Sequence, residues 1–117
     1  MAAERQNIEF HAGDDKRLEV TVRDEDDAVV DLTGIESAKW SLAKTANSTA
    51  LVTHTLNDNI SVVAATSGRI NIIIDAADTE GLRGVYYHEA EITDASGKTG
   101  TILYGSATIL GSLNDPA

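Results

Sequence analysis

The fold of this chain is decided by the stretch Gly84-Val-Tyr-Tyr-His-Glu-Ala-Glu-Ile92, which Thr93-Asp-Ala-Ser-Gly97 follows directly. Every second residue of an extended strand points to the same face, and in the first segment those residues are Tyr86, His88, Ala90 and Ile92. A period of two indicates a strand with one buried face, and the Asp-Ala-Ser-Gly sequence is typical of a turn. The two segments together predict a β-strand that enters a hairpin.

The same period recurs along most of the chain. Turn-forming residues separate the alternating runs at 11–15, 24–27, 57–59 and 66–68, and a first short strand is expected over residues 7–10. Seven to nine short strands with frequent turns predict an all-β fold, arranged as an antiparallel sandwich. The apolar faces of the predicted strands are Leu18, Val20 and Val22; Ala38, Trp40 and Leu42; Ile70, Ile72 and Ile74; and Leu103, Gly105, Ala107 and Ile109.

One segment departs from this period. Asp75-Ala-Ala-Asp-Thr-Glu-Gly-Leu82 begins with a residue that caps helices well and carries Asp78 three positions later, so a short helical turn is predicted near 75–82. The domain organisation follows from these patterns. Residues 1–6 are expected to form a flexible N-terminal arm, residues 7–110 the β domain, and residues 111–117 a C-terminal tail.

Composition excludes several classes of function. The 117 residues include no cysteine, which rules out disulfides and thiolate chemistry. The formal net charge of −10 repels phosphate backbones, so nucleic-acid binding is disfavoured. The sequence has no apolar run of the roughly 20 residues that a membrane span needs and no apolar segment near its start that would indicate a secretory signal. We therefore expect a protein that acts without membrane or nucleic acid.

The sequence favours a protein that is not an enzyme and that uses no cofactor. His11, His54 and His88 are far apart and lie in no catalytic motif. His88 falls on the predicted inner face, where a histidine is more often a hydrogen-bonded core residue than a ligand. A pocket that joins His88 to a carboxylate would revive the enzyme hypothesis.

A calcium site is the single metal hypothesis that the sequence raises. Asp24, Asp26 and Asp27 lie in one acidic segment, and hard cations prefer several oxygen ligands. The segment lacks the spacing and the glycine of an EF-hand loop, so a solvated turn is the competing interpretation.

Trp40 and Tyr86 sharpen the fold prediction. In immunoglobulin-type sandwiches a core tryptophan lies on the third strand, and a tyrosine near a strand start bonds its hydroxyl to the preceding corner. Tyr86 stands in such a place, although the usual pair of cysteines is missing. The competing interpretation is that both aromatics are ordinary core residues. The residues predicted to form the structural core are Trp40, Tyr86, Val20, Val22, Ile72 and His88.

The order of motifs resembles the Ig-like domains of tailed-bacteriophage virion proteins, including the N-terminal domain of baseplate upper proteins. The resemblance spans roughly residues 8–110, and its most specific elements are Val30-Asp-Leu-Thr-Gly34 and the Gly-x-Tyr hairpin that ends at Gly97. These are scaffold motifs, so they imply a fold and a setting and no active site. Baseplate upper proteins continue into a fibrous region, which this sequence does not contain.

The resemblance therefore implies a virion structural protein that is assembled in the host cytoplasm. A capsid decoration or cement protein is the first expectation, with the major capsid protein as partner and a homo-oligomer such as a trimer as the assembled form. A tail, baseplate or neck accessory is the alternative. A carbohydrate- or receptor-binding module is a third, and it would use Tyr87 and Tyr104 if they form an exposed pair.

Overall fold

A computed structural model of the protein describes residues 2–111 and 113. The prediction of an all-β fold is confirmed: strands make up most of the described chain, and helical structure is limited to one turn of α-helix, α1 (Ala76–Thr79), and one 3-10 turn (Ala65–Ser67). The strands are β1 (Glu4–Arg5), β2 (Ile8–His11), β3 (Lys16–Thr21), β4 (Ser37–Ala43), β5 (Ala50–Leu56), β6 (Asn59–Ala64), β7 (Arg69–Ile74), β8 (Gly84–Thr93) and β9 (Thr99–Leu110).

The strands form one continuous mixed sheet in the order β1-β9-β8-β4-β5-β6-β7-β3, with β2 also paired to β9. The predicted antiparallel pairing holds for most neighbours. It does not hold for β1 and β2, which both run parallel to β9, or for β5, which meets β6 in a short parallel contact. Parallel neighbours need a long connection between them. Here almost the whole chain, from residue 12 to residue 98, lies between β2 and β9.

A single hydrophobic core joins the two ends of this sheet. The inward residues of β3 and β7, at one end of the strand order, belong to the same buried cluster as those of β4, β8 and β9. The sheet is therefore curled so that its buried faces share one interior. All six residues predicted to form the core are buried, with Trp40, Ile72 and His88 at 0% exposure.

The helical turn occurs within the predicted segment. Asp75 is the residue at its N-terminal cap, and the Asp75 N–H donates to Oδ2 of Asp78 at 2.9 Å. This bond satisfies a backbone donor at the start of the turn. The turn connects β7 to β8. The acidic segment at 24–27 joins two short antiparallel segments, where Arg23 and Val29 form an isolated bridge and the N–H of Asp24 donates to the carbonyl of Ala28.

Part of the predicted N-terminal arm is paired with the sheet. Residues Glu4–Arg5 form β1, the Ala2 N–H donates to the carbonyl of Arg23, and the Gln6 N–H donates to the carbonyl of Tyr104. Most of the predicted C-terminal tail, residue 112 and residues 114–117, lies outside the described residues. In the part of the chain that is described, no helix has the length and hydropathy needed to cross a membrane.

The arm is kinked at the point where it passes Gly105. The register continues from β1 to β2, which places Gln6 opposite Gly105. In a regular parallel ladder the Ser106 N–H would bond the Gln6 carbonyl. Here it bonds Oδ1 of Asn7 at 3.0 Å, because the Gln6 carbonyl points away from the ladder to His88. The kink fits because Gly105 has no side chain: a Cβ there would lie 2.5 Å from the Gln6 oxygen.

We expect Gly105→Ala to weaken the docking of the arm. The added methyl group would overlap the Gln6 carbonyl and Asn7, and overpacking of this kind costs about 1–3 kcal/mol in the free energy of unfolding. Chemical denaturation measures this loss. Ser106→Ala is the matched control, since Ser106 contributes its backbone N–H to the arm and keeps it in the variant. Equal stability of Gly105→Ala and the wild type would contradict the prediction.

Candidate functional site

A chain of hydrogen bonds runs through the core from Trp40 to the N-terminal arm. The indole Nε1–H of Trp40 donates to Nδ1 of His88 at 3.1 Å, and Nε2 of His88 lies 2.7 Å from the carbonyl oxygen of Gln6. An indole N–H can only donate and a carbonyl can only accept. The two partners therefore fix His88 as the neutral tautomer that carries its proton on Nε2.

The surroundings of His88 favour this neutral form. Burial lowers the pKa of His88 below its ordinary value, and the hydrogen bond to the Gln6 carbonyl opposes that effect without reversing it. A lowered pKa in the folded state means that the unfolded state binds the proton more tightly. The contribution to stability is thus complete above the ordinary histidine pKa and is lost progressively as the pH falls below it.

A second histidine, His54, also contacts the Trp40 ring. His54 stacks against the Trp40 ring, with ring centroids 5.9 Å apart and an angle of 13° between the planes. Its Nε2 lies 2.7 Å from Oδ2 of Asp78, which also accepts the Asp75 N–H. The carboxylate partner that the enzyme hypothesis required at His88 is therefore found at His54, and His88 bonds an indole and a carbonyl.

The acidic segment at 24–27 is organised as a turn. Oδ1 of Asp24 accepts the N–H groups of Asp26 and Ala28, at 2.9 and 3.0 Å, and Asp27 adopts a positive φ of 63°. One oxygen of the proposed calcium ligand Asp24 is thus engaged by the backbone. Within residues 2–111 and 113, no three histidine, aspartate or glutamate side chains come together in a way that could hold a metal ion.

Like the acidic segment, the sequence motifs at 30–34 and 93–97 form turns in which an aspartate side chain bonds nearby residues. Oδ1 of Asp31 accepts both the hydroxyl and the N–H of Thr33, and Oδ1 of Asp94 accepts those of Ser96 and the N–H of Lys98. The side-chain bond from Thr33 lowers the pKa of Asp31, and the one from Ser96 lowers that of Asp94. Both aspartates thus act as turn formers for the strands beside them.

A group of larger side chains lies on the outward face of β1, β9 and β8. We call this group the tyrosine face, and its members are Arg5, Val85, Tyr87, Glu89 and Tyr104. Register places them together: Arg5 pairs with Tyr104, which in turn pairs with Glu89. Arg5, Tyr87 and Tyr104, with Ser106, line a groove of about 330 Å³. Val85 is 66% exposed beside it.

The polar groups of the tyrosine face remain available to a partner. Burial raises the pKa of Tyr87, and the nearby Glu89 and Tyr104 raise it further, so its hydroxyl keeps its proton at neutral pH. Arg5 is exposed, and in the described part of the chain its guanidinium makes no ion pair. Tyrosine and arginine are the side chains that most often dominate the energy of protein interfaces.

No protein-family model and no curated protein sequence matches this chain.

Sequence reasoning did not find the roles that four residues have here. His54 lies on β5 between two exposed threonines, on the inward face that it shares with Val52 and Leu56, and its contact with Asp78 is made only through the fold. Gln6 acts through its carbonyl, which leaves no trace in the sequence. Arg5 gave no signal because it precedes the first predicted strand. The pairing of Tyr87 with Tyr104 was noted as a condition for glycan binding, and the structure brings both to one groove.

We expect Tyr86→Phe to destabilise the protein by about 1–2 kcal/mol, because the Tyr86 hydroxyl donates to the Arg83 carbonyl at 3.0 Å and accepts the Arg83 N–H at 3.2 Å. These bonds fix the corner before β8. Tyr87→Phe is the control, since the Tyr87 hydroxyl forms no hydrogen bond with the described residues and its removal should change the unfolding midpoint little. If both variants unfold at the same denaturant concentration, the corner bond contributes nothing.

Proposed function

We propose that this chain is a bacteriophage virion structural protein that binds the capsid surface as a decoration or cement protein. The observation that carries the proposal is the tyrosine face, which gathers two tyrosines, an arginine and an exposed valine on one side of the sheet. The two tyrosines and the arginine are of the types that most often dominate the energy of protein interfaces. The resemblance of the turn motifs to virion Ig-like domains supplies the setting.

The strand order supports the immunoglobulin-like part of this proposal. In the sheet, β3, β7 and β6 are neighbours in the same order as strands B, E and D of an immunoglobulin domain. Likewise, β4, β8 and β9 are neighbours in the same order as its strands C, F and G. Trp40 on β4 and the Tyr86 corner before β8 occupy the corresponding places. In this proposal the domain is a rigid scaffold that presents the tyrosine face.

Area and multiplicity would supply the affinity. A standard protein interface buries about 800 Å² on each partner, and the chain exposes 6426 Å² in all. One such contact, repeated around a symmetric particle with copies of the chain touching, gains avidity without further chemistry. The homo-oligomer, for example a trimer, belongs to the proposal for this reason. The net charge of −10 would steer the chain towards a basic region of the capsid protein.

The test uses capsids assembled without this chain, from the phage that encodes it. We expect the purified protein to co-sediment with these particles and to raise the temperature at which they disrupt. Failure to bind heads would contradict the capsid role. Binding to isolated tails and not to heads would favour the tail, baseplate or neck alternative in its place.

The tyrosine face itself is tested by substitution. We expect Tyr87→Ala combined with Tyr104→Ala to weaken capsid binding by about 30-fold or more, since a hot-spot side chain contributes about 2 kcal/mol. Exposed valines provide a matched pair. Val85 lies on the tyrosine face and Val63, on β6, lies away from it, so Val85→Ala should weaken binding and Val63→Ala should not. Equal effects of the two would show that another surface binds.

A second candidate function rests on the same groove. Two tyrosines beside an arginine and a carboxylate also suit a saccharide, whose ring stacks on an aromatic face while its hydroxyls bond polar groups. Glycan-array binding by the wild type that is lost in the Tyr87→Ala, Tyr104→Ala double variant, together with no binding to heads or tails, would favour this carbohydrate-binding function.

A further inference from the structure

The arm supplies the hydrogen-bond partner of one ring nitrogen of His88. His88 is fully buried, with Nδ1 bonded to Trp40 and Nε2 bonded to the carbonyl of Gln6. The Gln6 carbonyl reaches this position because the arm is kinked into the space left by Gly105, which pairs with His88 across β8 and β9. Removal of residues 2–7 from β9 would therefore uncover Nε2.

The pairing of His88 is compatible with one protonation state. Protonated imidazole donates from both nitrogens. Its Nδ1–H would then point at the Nε1–H of Trp40, and two donors cannot bond each other. The added charge would also lie in a core where desolvation is costly. The lost Trp40 bond opposes protonation whether or not the arm is docked. The docked arm adds to this by keeping the imidazole away from water, and that effect outweighs the bond to the Gln6 carbonyl, which favours the positive charge.

We propose that protonation of His88 releases residues 2–7 from β9, so that the N-terminal segment acts as an acid-sensitive element of the fold. The proton binds more tightly to the form in which the arm has left and water reaches the imidazole. By linkage, the same proton shifts the chain towards that form. With the segment released, the first part of β9 becomes the edge of the sheet.

The part of the arm that precedes β2 is held weakly on the sheet. β1 is a two-residue strand at the sheet edge, and both of its residues are exposed. β2, by contrast, is anchored by Ile8 and Phe10, which are each 8% exposed. The structure therefore divides the N-terminal region into a releasable part, residues 2–7, and an anchored part, residues 8–11.

Among the groups that face His88, the Gln6 carbonyl favours a positive charge on the ring, but less strongly than burial opposes it. β4 contributes the indole of Trp40, β9 contributes Gly105, and the arm contributes the Gln6 carbonyl. On β8, the neighbouring inward residue Tyr86 has its hydroxyl bonded to the backbone of the preceding corner.

Further from His88, His54 of β5 stacks on the Trp40 ring and is paired with Asp78 of the α1 turn. Glu4 and Arg5 of the arm are exposed to water. The causes that shift the pKa of His88 are burial and the Gln6 carbonyl, and no charged side chain is among them.

Hydrogen exchange tests the proposal on the full chain between pH 7 and pH 5. The amides of Gln6 and Ser106 report directly on arm docking, since they bond the Tyr104 carbonyl and Asn7. After correction for intrinsic rates, we expect their protection to fall by up to about tenfold for each pH unit below the ordinary pKa of histidine, which is the limit for one linked proton. They should open at a lower free energy than the amides of β3 and β7.

His88→Gln supplies the decisive variant. Glutamine keeps a donor for the Gln6 carbonyl and an acceptor for Trp40 but does not titrate in this range, so arm protection should become independent of pH. His11→Gln is the matched control, because His11 is an exposed histidine at the end of β2, and this variant should keep the wild-type response. A wild-type arm whose protection is constant with pH, or a response that persists in His88→Gln, would overturn the proposal.

The wild type provides a test that does not depend on the variant folding. Nitrogen NMR of the imidazole should find the proton of His88 on Nε2 at neutral pH. The titration of this ring should coincide with the loss of arm protection. A proton on Nδ1 at neutral pH, or an arm that exchanges only together with β3 and β7 at every pH, would overturn the proposal.

Discussion

The hydrogen bond from the Trp40 indole to Nδ1 of His88 is the interaction on which the N-terminal part of the structure depends. A buried indole N–H must find an acceptor, and this one engages the unprotonated nitrogen of the histidine. The other nitrogen then carries a proton and requires an acceptor in turn. On β9 the residue opposite His88 is Gly105, which has no side chain, and the backbone of the arm supplies the acceptor through Gln6.

This requirement explains the irregular pairing of the arm. A carbonyl that turns inward to His88 leaves the ladder, and the Ser106 N–H that it would have bonded takes the side chain of Asn7 as its partner. Each step replaces one hydrogen bond by another. In residues 2–111 and 113, accordingly, no buried side-chain nitrogen or oxygen lacks a partner. A core polar network that is complete in this way holds its members in one arrangement.

The two faces of β8 have different roles. Its inward face carries Tyr86 and His88, which fix a corner and the arm. Its outward face carries Val85, Tyr87 and Glu89, which form much of the tyrosine face. Because side chains of a strand alternate, one segment supplies both the internal support and the surface offered to a partner. Arg5 links the two, since the arm that His88 holds also carries Arg5 to the tyrosine face.

The sequence by itself determined the all-β class, the inward face of β8, the helical turn after Asp75 and the burial of Trp40, because these depend on periodicity and local turn chemistry. It could not determine that β1 and β2 run parallel to β9, since residues separated by most of the chain meet only in the folded state. The tautomer of His88, the pairing of His54 with Asp78 and the meeting of Arg5 with Tyr104 were likewise decided by tertiary structure. Each depends on which backbone or side-chain group lies opposite another across strands, and strand order and register set that arrangement.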